Sequence, residues 1–126
     1  MATPPADRVY SQSHEWHKIE DDMVTLGLTQ FAVDQLTDVT YAEMKKPGFA
    51  FKAGDIVGEV ESVKTTSDIY CFVDGAIVET NKAVADDPSL LNSDPYGKGW
   101  LIKVKMSGKG KLGECVDAAT YAKQHG

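Results

Sequence analysis

Apolar and polar residues alternate in short runs along most of this chain, and Gly-, Pro- and Asp-containing turns separate the runs. Val24-Thr25-Leu26-Gly27-Leu28 has the period-two pattern of a half-buried strand. Thr29 then suits the N-cap of a short helix over Gln30 to Leu36, with Phe31 and Leu36 as its core contacts. Asp38 to Met44 reads as a strand, Lys46-Pro47-Gly48 as a turn, Phe49-Ala50-Phe51 as a brief strand and Lys52-Ala53-Gly54-Asp55 as another turn. Ile56 to Ser62 predicts a strand with Ile56, Gly58, Val60 and Ser62 on one face. Asp68 to Val73 is the next such run, Asp74-Gly75 a tight-turn signal, and Ala76 to Thr80 the strand that follows. Asp87-Pro88-Ser89-Leu90-Leu91 reads as a short helix with Asp87 at the N-cap and Pro88 at the first helical position. Trp100 to Val104 is a final strand. A C-terminal helix is expected over about 114–124, packing Val116, Ala119 and Tyr121, and residues 1–7 read as a loose Pro-containing lead-in.

Many short strands joined by Gly-rich turns predict a mainly β fold, a flattened barrel or sandwich with short peripheral helices. The turns lie too close together for the helical crossovers of a parallel sheet. A length of 126 residues fits one domain, 1–126. Composition adds few constraints but useful ones. At 42% hydrophobic and 25% charged, a packed globular chain is expected and disorder is not. The net charge of −6 argues against nucleic acid and leaves docking to basic protein surfaces open. No run approaches the roughly 20 apolar residues of a membrane span, and the N-terminus has neither an apolar signal core nor an Arg-rich presequence pattern. The cytoplasm is the simplest location, or the mitochondrial matrix for a processed eukaryotic chain. Cys71 and Cys115 match no metal or redox spacing and read as free thiols. His14 and His17 lack the further ligands a metal would need. Ser107-Gly108-Lys109-Gly110-Lys111 lacks the spacing of a phosphate loop and reads as a flexible turn.

The informative segment is Glu59-Val60-Glu61-Ser62-Val63-Lys64-Thr65-Thr66-Ser67-Asp68-Ile69-Tyr70. Two strand-like runs flank a polar centre, so Lys64 is expected to project from a hairpin tip where an enzyme could acylate its ε-amine. Gly54 and Gly75 stand nearly symmetrically about it, as glycines do where strands end in tight turns. An exposed hairpin lysine by itself is ordinarily only a solvated charge; its surroundings decide.

Those surroundings resemble the lipoyl- and biotinyl-carrier superfamily and, within it, the glycine cleavage system H proteins. The resemblance is carried by Ser13-His14-Glu15-Trp16, Leu26-Gly27-Leu28-Thr29, Glu61 to Tyr70, and Pro88 to Leu101 with its Asn92-Ser93-Asp94-Pro95-Tyr96-Gly97-Lys98-Gly99-Trp100 core. It spans about Val9 to Tyr121. Biotin carriers place Met on both sides of the lysine, where Val63 and Thr65 stand here; lipoyl domains of 2-oxoacid dehydrogenases usually place Asp and Ala there. Two segments depart from the family: Leu36-Thr37-Asp38 replaces the usual Leu-Gly-Asp, and Phe72-Val73-Asp74-Gly75 the usual Pro-x-Ser-Gly.

The resemblance implies a barrel-sandwich hybrid fold and a shuttle that catalyses nothing alone; a monomer is the default for a shuttle that must dock several enzymes in turn. Lipoic acid would be joined to Lys64 through an amide, supplying chemistry that side chains lack. The implied partners are a pyridoxal-phosphate glycine decarboxylase (P protein), a tetrahydrofolate-dependent aminomethyltransferase (T protein) and a flavin-dependent dihydrolipoamide dehydrogenase (L protein). A lipoate ligase or lipoyl transferase would attach the group, with Glu61 and Gly75 as recognition positions. In the family the loaded, cationic arm folds into a cleft; the matching positions are Ser13, Glu15 and Asp68, where carboxylates would attract the amine and exclusion of water would slow side reactions. Without the match, Glu15 and Asp68 read as solvated surface charges. Three other readings compete: a donor in lipoate relay, a standalone enzyme on a β-sandwich, and an unmodified interaction module.

Overall fold

The structure is a computed structural model that describes residues 4–125. Three residues of the expected lead-in, Met1, Ala2 and Thr3, lie outside the described residues, as does Gly126. The elements, in chain order, are β1 (Val9–Tyr10), β2 (Glu15–Glu20), β3 (Met23–Leu28), α1 (Gln30–Leu36), β4 (Val39–Met44), β5 (Ala50–Phe51), β6 (Ile56–Ser62), β7 (Thr66–Tyr70), β8 (Asp74–Thr80), α2 (Lys82–Asp86), α3 (Leu90–Ser93), β9 (Ile102–Gly108), a short 3-10 helix (Leu112–Glu114) and α4 (Ala118–His125). They form a six-stranded sheet in the order β1-β2-β3-β9-β8-β5 and a three-stranded sheet in the order β4-β6-β7. Every pairing is antiparallel. The mainly β, two-sheet architecture is the expected one, with neither sheet closing on itself. No helix of the described residues is long and apolar enough to cross a membrane.

The main core lies between the sheets. Val24, Leu26, Ile77, Ile102 and Val104 come from the larger one and Val57, Val60 and Ile69 from the smaller, all at 1% exposure or less. A second, aromatic cluster of Tyr10, Trp16 and Tyr121 packs with Phe31, Tyr96 and Trp100. Here Gly27 has a steric reason: a Cβ would overlap the indole of Trp16. The indole N–H donates to the Pro95 carbonyl (2.9 Å), and the Arg8 guanidinium stacks 4.4 Å from the same ring system. The Asn-Ser-Asp-Pro-Tyr-Gly segment is thereby fastened to β2.

Several elements follow the pattern closely. α1 spans Gln30–Leu36, and the Thr29 hydroxyl accepts from the Ala32 N–H as an N-cap should. Leu36 packs into the main core as expected, whereas Phe31 joins the aromatic cluster. Other elements differ. β1, β2 and α2 were not legible as elements. Ile56 is 42% exposed because a bulge between Ile56 and Gly58 breaks the alternation and turns Val57 inward with Val60. β7 begins two residues early and ends at Tyr70. Phe72 leaves the ladder because its N–H donates to buried His17 Nε2 (3.1 Å) and its carbonyl accepts from Lys111 N–H (2.8 Å).

Asp74-Gly75 is not a turn; it opens β8. Gly75 is needed where backbones crowd, because a Cβ there would run into the Lys105 carbonyl on β9. α3 starts at Leu90; Asp87 instead closes α2, and its carboxylate accepts from both Ser89 N–H and hydroxyl. Strand β9 runs Ile102–Gly108, so Ser107 and Gly108 are strand residues and the turn begins after them. The C-terminal helix begins at Ala118. Val116 instead forms a bridge with Tyr10, and Ala119 faces solvent while Tyr121 is buried.

Candidate functional site

The β6–β7 hairpin places Lys64 at an exposed tip. One residue makes the turn. The Ser62 hydroxyl oxygen accepts the N–H groups of Lys64 and Thr65 (3.1 Å each), while Ser62 N–H donates to the Thr65 carbonyl (2.8 Å). Serine suits this position because its short side chain can satisfy backbone donors that a tight turn orphans. In the sequence Ser62 stands out only as part of a motif; a hydroxyl two residues before an apical lysine is the signal that marks it. Val63, 71% exposed, donates its N–H to the Asp38 carbonyl (3.1 Å), extending the β4–β6 ladder one step beyond the strands. The tip is thus a solvated lysine on a hydrogen-bonded stalk. Glu61 is exposed on β6 beside it, between Tyr41 and Thr66.

A cleft of about 440 Å³ opens beside this turn, between β7, α1 and the Ser13-His14 bend. Ser13, His14, Phe31, Gln35, Thr65 and Asp68 contribute to its walls. Two of the three expected cleft residues, Ser13 and Asp68, therefore line one cavity although they are far apart in sequence. Glu15 does not line it. At 1% exposure, it is no solvated surface charge. Its Oε1 accepts from the Ser11 and Ser13 hydroxyls (2.5 Å each), and its Oε2 from Tyr70 N–H (3.3 Å). Glu15 thus orders Ser13 from behind and ties the bend to β7. Burial pushes its carboxyl up to about 7, against the pull of those donors.

His14 and Phe31 were missed as cleft residues. His14 adopts φ 71° and its Nδ1 lies 2.8 Å from the Tyr121 hydroxyl, which is also 2.7 Å from the Thr29 hydroxyl. That chain of contacts ties α4 to the cap of α1, and so to the cleft wall. Gly75, the other expected recognition position, lies in the six-stranded sheet, opposite Phe51 and Met106, whereas the Lys64 turn belongs to the three-stranded one. Asp68 faces Glu59, which faces Glu43, so one row of three carboxylates crosses the smaller sheet. Like charges directly opposite weaken a sheet.

The lining suits an aliphatic arm with a polar end. Leu28, Phe31, Ala32 and Leu36 offer apolar surface, and Ser13 and Asp68 are polar residues of the lining; Asp68 also borders a second groove with Glu43 and Glu59. Asp68 is exposed and lines both.

Relatives are found by family, by sequence and by fold. The family model described as glycine cleavage H-protein matches residues 8–125. A glycine cleavage system H protein of Symbiobacterium thermophilum is 45% identical over 96% of this chain and 94% of its own. One from Thermus thermophilus is 47% identical over 93% of this chain and 91% of its own. The crystal structure of a glycine cleavage system H protein from Mycobacterium marinum superposes with a TM-score of 0.89 at 40% identity, covering 96% of this chain and 98% of that one. With its lysine-tipped hairpin and adjoining cleft, this chain belongs to the glycine cleavage H-protein family.

Proposed function

We propose that this protein is a lipoyl carrier of glycine cleavage, modified on the ε-amine of Lys64. It acts as a cytoplasmic monomer that docks several enzymes in turn. The observation that carries the reading is the placement of Lys64: an exposed tip, fixed by Ser62, that opens onto a cleft lined by Ser13 and Asp68. When bound, lipoate supplies a dithiolane that accepts electrons and carries groups, chemistry the side chains lack. The carrier takes the aminomethyl group of glycine from the decarboxylase to the tetrahydrofolate-dependent aminomethyltransferase, and electrons to dihydrolipoamide dehydrogenase.

The chain's own residues have distinct parts in this. Ser62 holds the lysine turn open to a lipoate ligase or lipoyl transferase, and Glu61 stands beside that turn for recognition. The apolar wall from α1 covers an aliphatic arm and excludes water from it. Asp68 attracts a protonated amine carried at the arm's end, and the Ser13 hydroxyl, oriented by Glu15, offers a polar partner. The protein performs no bond-making alone; it presents and shelters.

The test is reconstitution. Lipoylated protein, mixed with glycine decarboxylase, pyridoxal phosphate and glycine, is expected to support exchange of labelled bicarbonate into the glycine carboxyl group. Lys64→Ala protein treated identically is expected to support none. Absence of exchange with fully lipoylated protein would remove glycine cleavage as its role and leave lipoate relay.

A further inference from the structure

We propose that Asn92, remote in sequence from the hairpin, is a positioning residue for the Lys64 turn. Its side chain clamps the strained joint on which that turn hangs. This inference rests on the carrier reading of Lys64 and extends it to a residue that reading does not contain.

The joint is Thr37-Asp38, between α1 and β4. Thr37 has φ 64° and ψ −136°. A β-branched residue in that region is strained by roughly 1–3 kcal/mol and persists only where its surroundings enforce it. Asn92 supplies the enforcement. Its Nδ2 donates to the Thr37 carbonyl (2.6 Å), and its Oδ1 accepts from the Val39 N–H (3.0 Å). The two bonds straddle Asp38. They also fix the amide's orientation, since the flipped form would set donor against donor and acceptor against acceptor. Asn92 stands on α3, which Leu91 anchors in the core at 0% exposure.

Asp38 is what the clamp holds still. Its carbonyl accepts the Val63 N–H (3.1 Å), the last backbone bond before Lys64 on that side. On the other side of the joint, Leu36 and Gln35 end α1 and line the cleft. One amide therefore sets both the lysine tip and the cleft wall beside it. Without it, Thr37 can relax toward an ordinary backbone conformation, carrying the Asp38 carbonyl away from Val63.

The experiment uses the full chain and two readouts. In Asn92→Ala, exchange of the Val63 amide hydrogen, followed by NMR, is expected to quicken about tenfold while the amides of β9 keep their protection. The KM of a lipoate ligase for the protein is expected to rise about three- to tenfold, with Lys64 still fully modified at the end point. Adding Thr37→Gly is expected to restore both readouts toward wild type, because glycine adopts this backbone conformation without strain. Asn92→Asp, which keeps the acceptor and loses the donor, serves in the same way should the alanine variant not fold. Unchanged Val63 exchange or an unchanged KM in a folded Asn92 variant would overturn the positioning role. Wild-type protein that takes up no lipoate would instead overturn the carrier reading.

Discussion

Glu15 and His17 stand two residues apart on β2, both buried, and the fold pushes their protonation in opposite directions. Burial raises Glu15 from 4.5 to about 7. It lowers His17 from 6.5 to about 4, keeping the imidazole neutral so that Nε2 can accept from Phe72. Glu15 holds its proton more tightly when folded, so its contribution to stability is complete below about pH 4.5 and is lost as pH rises through about 7. His17 holds its proton less tightly when folded; its contribution is complete above about pH 6.5 and is lost as pH falls through about 4. The two slopes oppose each other over the same window. Glu15→Gln is therefore expected to unmask the histidine, making stability to urea rise between pH 4.5 and 6.5 by on the order of 2–3 kcal/mol more than in the parent. His17→Gln is expected to tilt the profile the other way. Equal slopes in parent and both variants would contradict this assignment. These two residues also explain why β2 was illegible: Glu15-Trp16-His17 are buried in succession, so no alternation marks the strand, and two of the three are ionisable residues that seldom lie inside. The role of Glu15 was only half legible. Its neighbourhood followed from the Ser-His-Glu-Trp motif, but its place beneath Ser13 depends on packing that spacing does not encode.

α1 is the element on which the cleft depends, and its cap was readable because capping is local chemistry. Thr29 precedes the helix, and its hydroxyl both accepts from Ala32 N–H and pairs with Tyr121. Thr29→Ala is expected to lower stability by about 2 kcal/mol, combining a lost cap with a lost buried hydrogen bond. Thr29→Ser should recover most of that. Denaturant unfolding of the three proteins measures it; an alanine variant as stable as the parent would mean that α1 is held from elsewhere. Asp74-Gly75 shows where local chemistry misleads. The dipeptide is a turn signal by propensity, yet the glycine is required by the carbonyl of Lys105 on β9, thirty residues on. Likewise Ile56 keeps the expected alternation only until a bulge shifts the register of β6 against β7. Pairings between distant strands override both patterns.

At the scale of the whole molecule, the period-two pattern was enough to predict a mainly β chain with antiparallel neighbours, because each run declares one buried face. The division into a six-stranded and a three-stranded sheet was not readable, since strand order joins β3 to β9 and leaves the β6–β7 hairpin in the smaller sheet. That division matters for function. It leaves the lysine hairpin in a sheet of three strands, flanked on one side by the cleft and crossed by the carboxylates of Glu43, Glu59 and Asp68. The central proposal that draws on these features is that Lys64 is the site of a single acyl modification. It is tested most directly by incubating the purified protein with a lipoate ligase, ATP and lipoate, then taking intact and peptide mass spectra beside Lys64→Ala. One lipoyl group, mapped to Lys64 and missing from the variant, is the expected result. No adduct, while a known lipoyl domain in the same mixture is modified, would contradict the carrier account and point to an unmodified interaction module.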